Sequence, residues 1–496
     1  MTLPARTTLA NEDLLPVPPD RRTWTWWHMA SLWIGMVICI PTYILAAWLI
    51  DQGWTWQSAV GAVILGNLIA FVPIALTAHA GARYGIPFPV LARSSFGVIG
   101  ADVPALLRGL VACAWFGIQT WIGGWAIYKL IEVVWPGIAT LPPVLPASVG
   151  LNTGELIGFL LFWALNLWFA LRGVEPIKLL EARAAPFLLL IGAVALAWSI
   201  VRVGGVAPML QNGGGQTLAN GRGLAANFGV GLSSAVAFSG MMALTIPDLS
   251  RFARSQRDQL VGQAIGLPGT MALFAFISAA VTNATVIIFH QRIADPIVLL
   301  ARLGGPLMII PAMTGLTVAT LTTNVAANIV APANSIVSLA PDKLTFTHGA
   351  LLATGLGAVM MPWRLYHEPA AYLLAWLLGI GALLAPIVGI TVADYVVRRG
   401  VLNVNDLYKR HGVYEYTRGV NWLAVGAFLL AIVPSLPGFL AALRDGGAPH
   451  TGMFGAIYRW AWLVSFLVAA VVYVVGMRVS GADRRTPVEV GEGAGD

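Results

Sequence analysis

Twelve apolar runs, all but the short ninth long enough to cross a bilayer as a helix, follow one another along this chain with no long soluble domain between them. They fall at 27–49, 57–80, 103–133, 154–171, 185–203, 225–245, 260–288, 306–335, 348–363, 370–397, 420–440 and 455–477. A spanning helix needs about 17–25 such residues. Lipid offers no partner to an exposed backbone N–H or C=O, so helices satisfy themselves where irregular chain does not. The pattern predicts an all-α polytopic membrane protein. Only 10% of the residues are charged, against about 25% in soluble domains. Cys39 and Cys113 both sit in apolar runs, so no disulfide framework is expected. The first residues lack an apolar core of their own, and a cleavable signal is not expected.

Basic residues crowd one side. With the N-terminus inside, the inner segments hold Arg21, Arg22, Arg251, Arg254, Arg257, Arg398, Arg399, Lys409 and Arg410 among others. The opposite side holds fewer, such as Lys129, Arg202 and Arg292. This bias predicts a plasma (inner) membrane protein with both termini cytoplasmic. It also accounts for the net charge of +7 without a nucleic-acid partner.

The stretch 319–334, ATLTTNVAANIVAPAN, lies inside the eighth run yet carries Thr320, Thr322, Thr323, Asn324, Asn328 and Asn334. A buried amide or hydroxyl without a partner costs roughly 2–7 kcal/mol. On an ideal wheel, Thr317, Thr320, Asn324 and Asn328 form one stripe, and Ala319, Thr322 and Thr323 lie nearly opposite. Two polar surfaces on one helix suit an organic solute and a small cation; gluing helices together is the plainer use of such residues. On a straight helix, Asn328 points away from Thr322 and Thr323, so both serve one centre only if the helix is tilted between neighbours or the two pockets are separate.

Two other runs are punctuated alike. Gly35 and Pro41 bracket a short apolar stretch in the first, and Gly240 and Pro247 do so in the sixth. Matched interruptions of this kind predict discontinuous helices around a transport site. In the third run, Trp115 and Gln119 are spaced i, i+4 and share a face. An aromatic plane beside an amide suits a flat, hydrogen-bonding heterocycle. Trp121 and Trp125 read as interfacial belt residues.

Asp248 beside Arg251, and Asp394 before Arg398, read as helix-end anchors or ion pairs. Glu132, Glu368 and His367 fall near the outer ends. No carboxylate stands at mid-depth with an evident partner, which disfavours a proton relay. There is no HExxH, no GxSxG and no phosphate-binding glycine loop, so an enzyme and a resident cofactor are not expected.

Several motifs together resemble the nucleobase–cation symporter-1 family, which includes hydantoin, allantoin, uracil, cytosine and thiamine permeases. They are RRTW at 21–24, IPTY at 40–43, WFGIQTW at 115–121, IPDLSRF at 246–252, TTNVAAN at 322–328, MMPW at 360–363, and ADYVVRRG through NDLY to RGVNW at 393–422. The resemblance implies twelve transmembrane helices in a LeuT-like fold. Two inverted five-helix repeats, 27–205 and 206–400, would be followed by two trailing helices in 401–478, with cytoplasmic segments at 1–26 and 479–496. Helices one, two, six and seven would form a bundle, and helices three, four, eight and nine a scaffold. Trp115 would stack on the substrate ring, Gln119 would bond it, and Asn328 would bond its other edge. The sodium position would be framed by the carbonyls of Gly35, Ile38 and Ala319 and the hydroxyls of Thr322 and Thr323.

Two positions depart from the family pattern. Where characterised hydantoin and allantoin carriers have a second Trp, nine residues before the Asp of IPD, this chain has Ser239, with Phe238 and Gly240 beside it. Cys39 stands where relatives carry Asn or Gln. The pocket is therefore expected to be roomier and less amide-rich. The reading is a secondary active importer of a small planar nitrogen heterocycle, acting as a monomer by alternating access. Sodium is the expected coupling ion, because both threonines are present; a proton is the alternative. An amino-acid carrier of the same fold is a nearer rival than a channel or a receptor.

Overall fold

The structure is a computed structural model that describes residues 9–211, 224–294, 296–302, 306–365, 369–444 and 452–481. Glu368 and His367 lie outside them. Nine of the described helices are long and apolar enough to cross a membrane, and a bent pair adds a tenth. Two shorter apolar helices, Phe228–Leu244 and Phe346–Val359, stand where the sixth and ninth runs were read.

In chain order, α1 comprises Trp26–Val37 and Ile40–Asp51, α2 is Trp56–Tyr84, α3 is Asp102–Val134, α4 is Thr153–Leu171 and α5 is Val174–Val203. Then α6 is Leu224–Gly240, running into a 3-10 turn at Met241–Leu244, and α7 is Gln256–Phe289. Two segments, Pro306–Asn328 and Val330–Leu339, make α8. The rest are α9 (Phe346–Val359), α10 (Pro369–Val397), α11 (Trp422–Arg444) and α12 (Ala461–Val479).

Helix starts follow local chemistry. Asn152 accepts from Glu155 N at 2.8 Å while Glu155 bonds the Asn152 N–H, a reciprocal cap that begins α4. Thr55 caps α2 through Ser58 N. One boundary moves substantially: α5 begins at Val174, well before the apolar run at 185, so Lys178, Glu181 and Arg183 are helical.

Helices α1, α2, α6 and α7 pack on one another, and α3, α4, α8 and α9 form a second group, while α5 lies against α1, α7 and α8. Small residues allow the close approaches. A Cβ on Gly117 of α3 would stand 2.4 Å from the Gly357 carbonyl of α9, so those backbones touch.

Residues 9–24 strap one end of the molecule. Asn11 Nδ2 donates to Pro341 O and Leu344 O, and Arg251 donates to Asp13 O. Tyr408 OH donates to Leu14 O, and Arg93 donates to Leu9 O and Leu407 O. Burial lowers the Arg93 guanidinium below its ordinary pKa. Two anchor readings part here. Asp394 pairs with Arg398 at 2.9 Å. Asp248 forms no ion pair with Arg251; its oxygens accept from Asn334 Nδ2 at 2.6 Å and Phe88 N at 3.2 Å, because the turn after α6 aims it across to α8.

Candidate substrate and cation site

The breaks fall between the paired Gly and Pro residues. In α1 the chain leaves the helix at Ile38 and Cys39 and bends by 57°. In α6 the α-helix ends at Gly240, becomes a 3-10 turn, and restarts at Ile246 with Pro247 in its first turn. A third break lies at Ile329 in α8.

A cavity of about 50 Å³ lies among these breaks. Its walls include Trp33 and Val37 of α1, Arg108, Trp115 and Gln119 of α3, Phe238 and Ser239 of α6, and Thr323, Ala327 and Asn328 of α8. Trp115, Gln119, Ser239, Thr323 and Asn328 are all buried. Trp115 Nε1 and Gln119 Oε1 have no hydrogen-bond partner in the protein. Buried polar atoms are almost always paired, so one orphaned donor and one orphaned acceptor on the same face of α3 mark a place for a polar ligand.

Around them the side chains are held. Phe238 meets Trp115 edge to face, with ring centroids 6.2 Å apart and planes at 88°. It therefore walls the pocket and does not stack parallel to the indole. Ser239 Oγ donates to Asn67 Oδ1 at 2.6 Å. Asn324 spends its amide N–H groups on Thr120 Oγ1 and the Phe116 carbonyl of α3. Its own oxygen accepts from Asn328 Nδ2 at 3.1 Å. The bond fixes the Asn328 amide at the cavity wall.

Gly240 is not part of the wall. A Cβ there would meet the Trp462 ring at 2.7 Å, so this face of α6 is turned to α12. Cys39 lies at the break, with its thiol 3.3 Å from Thr42 Oγ1 and in contact with the Gln119 and Thr323 side chains.

The cation frame adjoins the cavity. Thr323 Oγ1 donates at 2.9 Å to Gly35 O and Ala319 O, and Thr322 Oγ1 donates to Ala319 O at 2.9 Å and Gly35 O at 3.3 Å. Ile38 and Ala319 share an apolar cluster with Ala184, Ala185 and Leu188 of α5. The expected framing residues thus converge from α1 and α8. Thr323 belongs both to the frame and to the cavity wall, which joins the two polar surfaces of α8.

Sequence reasoning missed a carboxyl group here. Glu181 of α5 is fully buried, and neither of its oxygens has a hydrogen-bond partner. Its Oε2 lies 2.0 Å from where a Cβ on Gly35 would stand, so only glycine admits it. Starting the fifth span at Ala185 hid this residue. The signal was the spacing Ile177, Glu181, Ala184, Leu188, which puts the acid on the buried stripe of α5. Arg108 and Trp33 were likewise not read as lining residues; Arg108 stands one heptad before Trp115 and so shares its face.

Comparisons with known proteins bear on the family and the fold. The family described as permease for cytosine/purines, uracil, thiamine, allantoin matches residues 16–478. A purine-uracil permease of Arabidopsis thaliana is 44% identical over 95% of this chain and 78% of its own length. The allantoin permease of Bacillus subtilis is 36% identical over 95% and 94%. Among solved structures, the nucleobase-cation-symport-1 transporter Mhp1, closed with bromovinylhydantoin bound, superposes with a TM-score of 0.79. It is 24% identical and covers 97% of this chain and 98% of its own. A Na+-coupled sialic acid symporter gives 0.60 at 12% identity, covering 96% and 93%. These likenesses identify the fold as LeuT-like.

Proposed function

The chain belongs to the family of permeases for cytosine/purines, uracil, thiamine and allantoin, and from that premise we propose that it imports a small planar nitrogen heterocycle by cation-coupled alternating access. It is a multi-pass membrane transporter and not an enzyme. The observation that carries the substrate reading is the pair of orphaned atoms, Trp115 Nε1 and Gln119 Oε1, on one wall of a cavity set between three helix breaks. The indole offers a face for the ring and the amide reads its edge. Asn328, steadied by Asn324, serves the opposite edge. The bundle of α1, α2, α6 and α7 then rocks against α3, α4, α8 and α9 around the bound ring. We place the repeats at 27–205 and 206–400, both termini in the cytoplasm, and the protein in the plasma membrane as a monomer.

For the coupling ion, Glu181 favours a proton. A carboxylate ionised in this interior would need a cation or several donors. Its neighbours supply neither: the Thr322 and Thr323 hydroxyls donate to carbonyls, and the Glu181 oxygens are bare. A proton on Glu181 removes the charge that nothing around it balances, and its release to the inner side would loosen α1 from α5. Sodium is the second reading. The two carbonyls and two hydroxyls are hard oxygen ligands, and a carboxylate would add the charge they lack.

Uptake of labelled substrate at fixed pH, with sodium replaced by choline, tests the order. We expect uptake to be unchanged in choline, to rise with external acid, and to lose its acid stimulation in Glu181→Gln. Collapse of uptake in choline would make sodium the coupling ion.

A further inference from the structure

Arg108 is the only formally charged residue among the described residues lining the cavity, and it is 1% exposed. Its Nε donates to Thr245 Oγ1 at 2.9 Å; its Nη2 donates to the same hydroxyl and to Ala327 O at 3.2 Å. Nη1 has no partner. No carboxylate forms an ion pair with Arg108 among the described residues. The carboxylate of Asp248, which Arg108 and Arg251 share at longer range, is hydrogen-bonded to Asn334 and to the Phe88 N–H. The contrast within the molecule is Arg398, whose guanidinium is paired with Asp394.

Resting on the reading of this cavity as the heterocycle site, we propose that Arg108 selects heterocycles that carry negative charge, such as a ring imide ionised near neutral pH or a ring bearing a carboxylate. A buried guanidinium held only by a hydroxyl and a carbonyl has no hydrogen-bonded counter-charge, since Asp248 acts on it only at longer range, and an anionic ligand provides one through charge-assisted hydrogen bonds. The orphaned atoms agree: Trp115 Nε1 and Arg108 Nη1 are donors and Gln119 Oε1 alone is an acceptor, so the cavity suits a ligand richer in acceptors than in donors. Arg108 stands about 10 Å below Trp115 along α3, toward the end strapped by residues 9–24. Its two fixed contacts are to the irregular part of α6 and to the last turn of the first α8 segment. An anion on Nη1 is thereby tied to the break of α6, in the bundle that rocks, and to that of α8, in the scaffold it rocks against.

The test uses the purified full-length protein at pH 7.4 and two matched pairs: orotate against uracil, one ring with and without a carboxylate, and urate against hypoxanthine, an ionised and a neutral purine. Affinities come from ligand-dependent thermal shifts. The expected result is that each anion binds at least tenfold tighter than its neutral partner. In Arg108→Gln that ratio should fall to about one. Arg108→Lys, which keeps the charge, should retain part of the preference, and this variant and the wild-type comparison decide the matter if Arg108→Gln does not fold. Neutral ligands binding as tightly as anions in the wild type would overturn the selection by charge while leaving the heterocycle reading intact. So would an equal loss for both members of each pair in Arg108→Gln. Binding of none of the four would overturn both.

Discussion

Gln119 and Asn328 face one cavity, but their amides are held differently. The Gln119 oxygen has no protein partner, whereas the Asn328 N–H is fixed by Asn324. Gln119→Ala should therefore remove a ligand contact outright and weaken binding by roughly tenfold or more, since an unmade buried hydrogen bond costs about 1–3 kcal/mol. Asn324→Ala should act indirectly, by freeing the Asn328 amide, and cost a smaller factor. Ligand titrations of melting temperature on both variants check the order; equal losses would argue against it. Gly35 is the sharper residue. A methyl group there would meet Glu181 Oε2 at 2.0 Å, so Gly35→Ala must displace the carboxyl. We expect acid stimulation of uptake to vanish in that variant while heterocycle binding persists, because Gly35 does not line the cavity.

Among the elements, α5 carries the carboxyl but owes its effect to being packed on α1 and α8. Nothing within 174–203 requires Glu181 to meet Gly35 of α1. The N-terminal strap is another such case. Asn11 accepts from Asp13 N and Leu14 N while donating to Pro341 O and Leu344 O. It thus folds its own turn and ties that turn to the loop between α8 and α9. Asn11→Ala should raise hydrogen exchange of residues 9–18 by about tenfold or more with little change in the helices. Exchange unchanged in that segment would mean that Arg93, Tyr408 and Arg251 hold the strap without it.

For the whole molecule, a carrier differs from a channel or a receptor in obligatory exchange. Proteoliposomes loaded with unlabelled substrate should take up labelled substrate against its own gradient, and no counterflow would count against a carrier. Charge accounting gives a second readout. If one anionic heterocycle enters with one proton, no net charge crosses, and only the chemical gradients drive uptake, about 1.4 kcal/mol for each tenfold proton gradient. A neutral ring with one proton would add about 2.3 kcal/mol per 100 mV. Uptake of orotate or urate should thus be insensitive to a potassium diffusion potential at fixed pH, and uptake of a neutral ring accelerated by it.

Much of this was written locally along the chain. The length of each apolar run and the lack of backbone partners in lipid dictated helices, and Gly35 with Pro41 and Gly240 with Pro247 dictated where two of them break. The i, i+4 spacing dictated that Trp115 and Gln119 share a face. Which faces meet was decided only in three dimensions. Gly240 turned to Trp462, Asp248 reached Asn334 in preference to Arg251, and α8 brought Thr323 to both the cavity and Gly35. Glu181 lies before the fifth apolar run and Arg108 inside the third, and neither was legible as part of a site, since a single helix cannot say what its charged residue faces. That depends on the packing of four or five helices distant in sequence, and the same packing makes a buried charge tolerable and gives it a use.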